Sequence, residues 1–174
     1  MRAVESRYSA EHHMASVNLI FDNEQTAYIR ELSEKMNLDF GEFIPHATLI
    51  NVTEQDIPRL KLAAAALPSL DKLVLDGVNF LPDEAGNCVW VELRVQKTSW
   101  MVEVRRKLLE ILDDIHPGLD IDGFRPHITL GIVEAGTLGD VDMSAIPRQL
   151  PVITKPRAAA CYNGVHGKVV EVVE

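Results

Sequence analysis

The octapeptide Phe43-Ile44-Pro45-His46-Ala47-Thr48-Leu49-Ile50 returns 81 residues later as Phe124-Arg125-Pro126-His127-Ile128-Thr129-Leu130-Gly131. Five of the eight positions match: Phe, Pro, His, Thr and Leu. Side chains alternate faces along an extended strand, so His and Thr two apart point the same way. Each copy therefore sets one imidazole beside one hydroxyl. Two copies supply two imidazoles and two hydroxyls, a set suited to acid–base chemistry at a phosphate.

Five identities are thin evidence in a chain of 174 residues, and the flanking sequence strengthens them. Upstream of His46 runs the strand-like Val17-Asn18-Leu19-Ile20-Phe21, then a helical stretch over 24–36. Upstream of His127 runs Cys88-Val89-Trp90-Val91-Glu92-Leu93, then a helical stretch over 99–115. Both halves read strand, helix, loop, then a strand carrying Phe-x-Pro-His-x-Thr-Leu. The repeat is thus a unit of architecture rather than a short word.

The remaining elements follow from pattern and punctuation. A first strand is expected over 15–21, with Asp22 or Asn23 capping a helix whose apolar positions 29, 32 and 36 recur at helical spacing. A β-rich segment spans 43–52. A second helix is expected over 56–67, with Pro58 in its first turn and Pro68 as its stop. Strands over 72–80 and 87–95 flank the turn-rich Pro82-Asp83-Glu84-Ala85-Gly86 as an antiparallel hairpin. The third helix carries an apolar stripe at 101, 104, 108, 111, 112 and 115, and His116-Pro117-Gly118 ends it. A strand over 125–133 holds the second motif. Further strands are expected over 149–154, 157–162 and 168–173, the last two joined at Asn163-Gly164. The expected fold is α+β: two pseudo-symmetric lobes of mostly antiparallel sheet backed by helices, with a central cleft. Residues 1–14 read as a flexible extension ahead of a single bilobal domain over 15–174.

Bulk composition narrows the function classes. Hydrophobic residues make up 47% of the chain and charged residues 25%, which suits a globular chain with a sizeable core. Cys88 and Cys161 have no metal-type spacing and read as reduced thiols of a cytoplasmic protein, expected as a monomer. No apolar run approaches the ~18 residues of a membrane span, and the polar 1–13 segment lacks the apolar centre of a signal peptide. A net charge of −9 argues against a surface that grips a long duplex, and leaves room for a local pocket that binds one phosphate. No Walker loop, HExxH, GxSxG or metal-spaced carboxylate cluster is present. Neither a metal nor another cofactor is expected.

Two imidazoles on opposite sides of a phosphorus can remove a proton from attacking water and supply one to the leaving oxygen. Thr48 and Thr129 can hydrogen-bond the non-bridging oxygens where charge gathers. The alternative is that His46 and His127 are structural histidines on half-buried strands. Two in one local sequence, each with a same-face Thr, favour the catalytic reading. Two His-x-Thr-Leu motifs about 80 residues apart, each preceded by Pro and following a strand–helix unit, resemble the 2H phosphoesterase superfamily. The nearest group is the bacterial 2′-5′ RNA ligase/cyclic phosphodiesterase group. The resemblance implies a bilobal fold with both motifs at a central cleft. It implies metal-independent opening of 2′,3′-cyclic phosphates on a small nucleotide or RNA end, or reversible 2′-5′ joining of RNA ends. It also implies that His46 and His127 are catalytic and that Thr48 and Thr129 bind phosphate. A non-catalytic binder of phosphorylated ligands with this architecture is the other reading.

Other residues divide less clearly. Arg125 either contacts phosphate from the face of His127 or sits at a strand end in solvent. Tyr162 is expected in core packing rather than under a base, and Trp90 in the core. Lys155 and Arg157 are expected at a solvated edge, His166 in an exposed turn, and His12-His13 in the extension. Which histidine is the base stays open.

Overall fold

The structure, a computed structural model, describes residues 14–83, 85–115, 123–164 and 168–174. The 1–13 segment with His12-His13, the helix stop at His116-Pro117-Gly118 and the turn histidine His166 lie outside the described residues. Met14, assigned by sequence to the extension, bonds through its N–H to the Val52 carbonyl at 3.2 Å and accepts from the Asn163 N–H at 3.1 Å.

Among the described residues there are two four-stranded antiparallel sheets. The first is ordered β2 (His46–Val52), β1 (Ala15–Ile20), β7 (Arg157–Asn163), β8 (Val169–Val173). The second is ordered β5 (His127–Glu134), β4 (Cys88–Val95), β3 (Lys72–Pro82), β6 (Val152–Thr154). Helices α1 (Asn23–Lys35), α2 (Ile57–Ala65) and α3 (Ser99–Ile111) pack on them. Two short 3₁₀ helices, Ala135–Asp140 and Met143–Ala145, follow β5. The α+β class, with two mostly antiparallel sheets and helices packed on them, is as the sequence leads one to expect.

The helix starts obey local chemistry. Asp22 caps α1 by accepting from the Gln25 N–H at 2.8 Å. Asp56 accepts from the Arg59 N–H at 3.2 Å, with Pro58 in the first turn of α2. Such caps satisfy orphan donors, and losing one costs about 1 kcal/mol. In α1 the stripe at Ile29, Leu32 and Met36 is buried as its spacing requires.

Some ends differ from expectation for identifiable reasons. The motif strands begin at His46 and His127 rather than upstream, because Pro45 and Pro126 have no N–H for the ladder. Helix α3 stops at Ile111, although its stripe runs on through buried Leu112 and Ile115. The backbone leaves helical geometry at Leu112, with φ −117 and ψ 25, and beyond it the Ile115 carbonyl accepts from both the N–H and the hydroxyl of Thr53, at 2.7 and 3.0 Å. Strand β6 is confined to Val152–Thr154, after Pro151. At the β3–β4 hairpin the Asp83 carboxylate collects the N–H groups of Asn87 and Cys88 at 2.7 and 3.1 Å, and Gly86 adopts φ +69. The thiols of Cys88 and Cys161 are free. No helix of the described residues is long and apolar enough to cross a membrane.

The helices do not simply back the strands they follow. Helix α1 leaves β1 of the first sheet and packs on β5 of the second. Helix α3 leaves β4 of the second sheet and packs on β2 of the first. This reciprocal crossing ties the halves together, and one apolar core runs through both sheets, from Val17 and Leu49 to Leu93 and Leu130. Helix α2 covers β7 and β1.

Candidate active site

Both motif strands are edge strands, β2 of one sheet and β5 of the other, and they run close beside each other. Their registers repeat. On β1–β2, Ile20 pairs with His46 and Asn18 with Thr48; the ladder then slips so that Val17 meets Ile50 and Leu49 bulges. On β4–β5, Arg94 pairs with His127 and Glu92 with Thr129; the ladder slips so that Val91 meets Gly131 and Leu130 bulges. A bulge leaves one residue outside the ladder and increases the local twist. Each bulged leucine is buried, and a helix from the other half captures its carbonyl. The Ser33 hydroxyl of α1 donates to Leu130 at 2.7 Å, and the Arg105 guanidinium of α3 donates to Leu49. The Leu of His-x-Thr-Leu thus closes the motif into the core while His and Thr stay on the opposite face.

The two imidazoles are held alike. His46 Nδ1 lies 2.7 Å from the Ile44 carbonyl, and His127 Nδ1 lies 2.9 Å from the Arg125 carbonyl. A carbonyl only accepts, so each Nδ1 carries the proton and each neutral ring keeps its lone pair on Nε2. Both rings are half-buried. Thr48 and Thr129 are also half-buried, and among the described residues neither hydroxyl has a hydrogen-bond partner. The structure therefore brings His46, Thr48, His127 and Thr129 to neighbouring edges on corresponding faces.

The electrostatics of the two rings differ. Burial pushes His46 down to about 4, against a partly restoring bond to the Ile44 carbonyl, and the charges of His127 and Lys168 push the same way. On the other side, Glu92 is 1% exposed in its side chain and reaches His127 Nε2 with one oxygen at 3.4 Å. Glu92 is also ion-paired to Arg125. Arg125 is thus brought to the site, but its guanidinium is committed to a carboxylate. Arg94, across the ladder from His127, is bound to Asp76 at 2.6 Å. On the first half the residue across from the threonine is the uncharged Asn18. Asn18 donates to Ser16 Oγ at 2.6 Å, Ser16 donates to Asn163 at 2.7 Å, and Asn163 donates to Asn51 at 3.2 Å.

Asn18, Glu92 and Lys168 are site residues that the motif reading missed. The first two carried a signal: each is a lone polar residue inside an apolar strand run, Val17-Asn18-Leu19 and Val91-Glu92-Leu93. Lys168, at the head of β8, carried none. Trp90 is buried as expected, and Tyr162 packs partly buried against the core. Lys155 and Arg157 are exposed, beside a cavity of about 480 Å³ that Leu19, Trp100 and Ala158 also line. Leu19 alternates with Asn18 and Ile20 along β1, so this cavity lies behind the first sheet, away from the histidines. Among the described residues no three His, Cys, Asp or Glu side chains are grouped as metal ligands.

No family model matches the chain, and no curated protein sequence does. Solved structures do resemble it. TT0787 of Thermus thermophilus aligns with TM-score 0.54 at 20% identity, over 92% of this chain and 94% of that one. E. coli LigT complexed with 3′-AMP aligns with TM-score 0.51 at 16% identity, over 94% and 96%. A structure described as a phosphoesterase aligns with TM-score 0.51 at 14% identity, over 94% and 97%. Across nearly its whole length the chain shares the fold of these structures.

Proposed function

We propose that the protein is a phosphodiester-processing enzyme that opens 2′,3′-cyclic phosphates of a small nucleotide or RNA end. The observation that carries this reading is the matched pair of imidazoles. Each is fixed through Nδ1 to the carbonyl two residues before it, and each has Thr two residues on. In this reading His46 is the base. Its ring is neutral at ordinary pH and its Nε2 lone pair is available. It takes a proton from water as the water oxygen bonds to phosphorus. The bond from phosphorus to one ribose oxygen breaks, and that oxygen takes the Nε2 proton of His127. When protonated, His127 is ion-paired to Glu92. Thr48 and Thr129 hydrogen-bond the non-bridging oxygens, and Arg125, balanced by Glu92, orients the His127 side.

Support comes from the fold shared with LigT, whose structure holds 3′-AMP, and from the acidic chain, which favours a small or terminal phosphate over a long duplex. The test is turnover of a panel of 2′,3′-cyclic nucleotides in EDTA. Hydrolysis to a single monophosphate isomer, with a bell-shaped pH–rate profile, is expected. Tight binding without turnover would leave the protein a phosphate-ligand binder, and joining of RNA ends under the same conditions would make it a ligase.

A further inference from the structure

We propose that Lys168 is the cation that meets the phosphate at this site, a role the His-x-Thr motifs do not supply and Arg125 is not free to fill. The inference rests on the functional reading above and deepens it.

Lys168 is only 9% exposed. Its Nζ lies 4.3 Å from the centroid of the Phe43 ring, the first residue of the repeated octapeptide. The next residue, Val169, accepts through its carbonyl from the Ile44 N–H at 2.9 Å. Ile44 in turn accepts from His46 Nδ1. One residue therefore anchors both the lysine's strand and the candidate base, and the lysine's charge is felt at His46.

Among the described residues Lys168 makes no ion pair, whereas Arg125, Arg94, Arg59 and Arg157 each have a carboxylate. Burying an ammonium without a counter-charge is unfavourable, and the aromatic face of Phe43 offsets it only in part. Burial lowers Lys168 to about 8, with Asp39 the negative group acting against this shift. The group is therefore mostly charged at neutral pH and under-compensated. An entering phosphate ester would supply the missing negative charge. Arg125 already has its counter-charge in Glu92.

The experiment compares wild type with Lys168→Met, and with Lys168→Gln as a second variant. Three readouts are taken: inorganic phosphate affinity by calorimetry, the melting temperature of the free protein, and kinetics on a 2′,3′-cyclic nucleotide. The expected result is phosphate affinity lowered ~10-fold or more, with KM raised more than kcat is lowered. The melting temperature should be unchanged or higher, because a desolvated unpaired charge has been removed. Phosphate affinity equal to wild type overturns the proposal. So does a loss of affinity that accompanies a lower melting temperature in both variants, which would mark a packing role. Wild type that binds no phosphate also overturns it. If wild type binds phosphate through Lys168 yet turns over no cyclic nucleotide, the hydrolase reading falls and Lys168 stands. If both variants turn over substrate as well as wild type does, the hydrolase reading stands and Lys168 falls.

Discussion

The two motif strands share one backbone design and differ in what faces them. Each carries His, then Thr, then a bulged Leu in the same register with its neighbour. Across the ladder from Thr48 stands Asn18, an uncharged amide in a chain of hydroxyl and amide groups. Across from Thr129 stands Glu92, a buried carboxylate that engages both Arg125 and His127. Repetition sets the two imidazoles on corresponding faces of neighbouring edges. Their surroundings are unequal, burial and the charge of Lys168 acting on His46 and the carboxylate of Glu92 facing His127, and a base and an acid need unequal surroundings.

The largest effect should come from the imidazoles themselves. His46→Ala and His127→Ala are each expected to lower kcat by ~10²–10⁴-fold with the fold intact, read by steady-state kinetics and circular dichroism. Full activity in either variant would remove that histidine from the mechanism.

Next comes the pH dependence of stability. His46 titrates near 4 in the folded protein, against 6.5 as its unperturbed value. Between these values the unfolded chain binds the proton and the folded chain does not. Stability from this group is therefore fully present above about 6.5 and is lost as pH falls through 4, up to about 3 kcal/mol. Urea denaturation of wild type and His46→Gln from pH 7 to 4 should show the variant losing less. Parallel curves would mean that His46 is not held neutral. The same shift places the acid limb of kcat/KM well below the ordinary imidazole range.

The charged half should then respond asymmetrically. Arg125→Ala strands a buried carboxylate and should cost about 2 kcal/mol, the exposure of the arginine tempering a fully buried value. Glu92→Gln leaves the half-exposed Arg125 free to turn to water and should cost under about 1 kcal/mol in stability. Chemical denaturation at pH 7 distinguishes the two, and equal losses would deny that Arg125 is what keeps Glu92 in place. Smallest of all, Asp76→Asn breaks an exposed pair with Arg94 and should change stability by no more than ~0.5 kcal/mol. A larger change would show that this pair helps to set the edge that carries His127.

Much of the site was legible because its signal is local. Strand alternation puts His46 with Thr48 and His127 with Thr129 on one face whatever the rest of the chain does. The caps at Asp22 and Asp56 and the turn at Pro82-Asp83 are likewise short-range chemistry. What escaped is non-local. Lys168 comes from a strand head 122 residues after His46, and only the β7–β8 pairing and its bond to Ile44 bring it to the first motif. Asn18 and Glu92 were visible as polar residues in apolar strands, but a register is needed to set them across from the threonines.

The amino-acid sequence by itself determined the repeat, the strand–helix–strand grammar of each half and the four side chains that carry the candidate chemistry, because alternation and capping act within a few residues. Tertiary structure alone decided which edges meet, that α1 and α3 exchange sheets to seize the bulged carbonyls of Leu130 and Leu49, and that His46 is held neutral while a carboxylate faces His127. Burial and charge at a ring depend on groups far off in sequence, and only the packed chain sets them within reach.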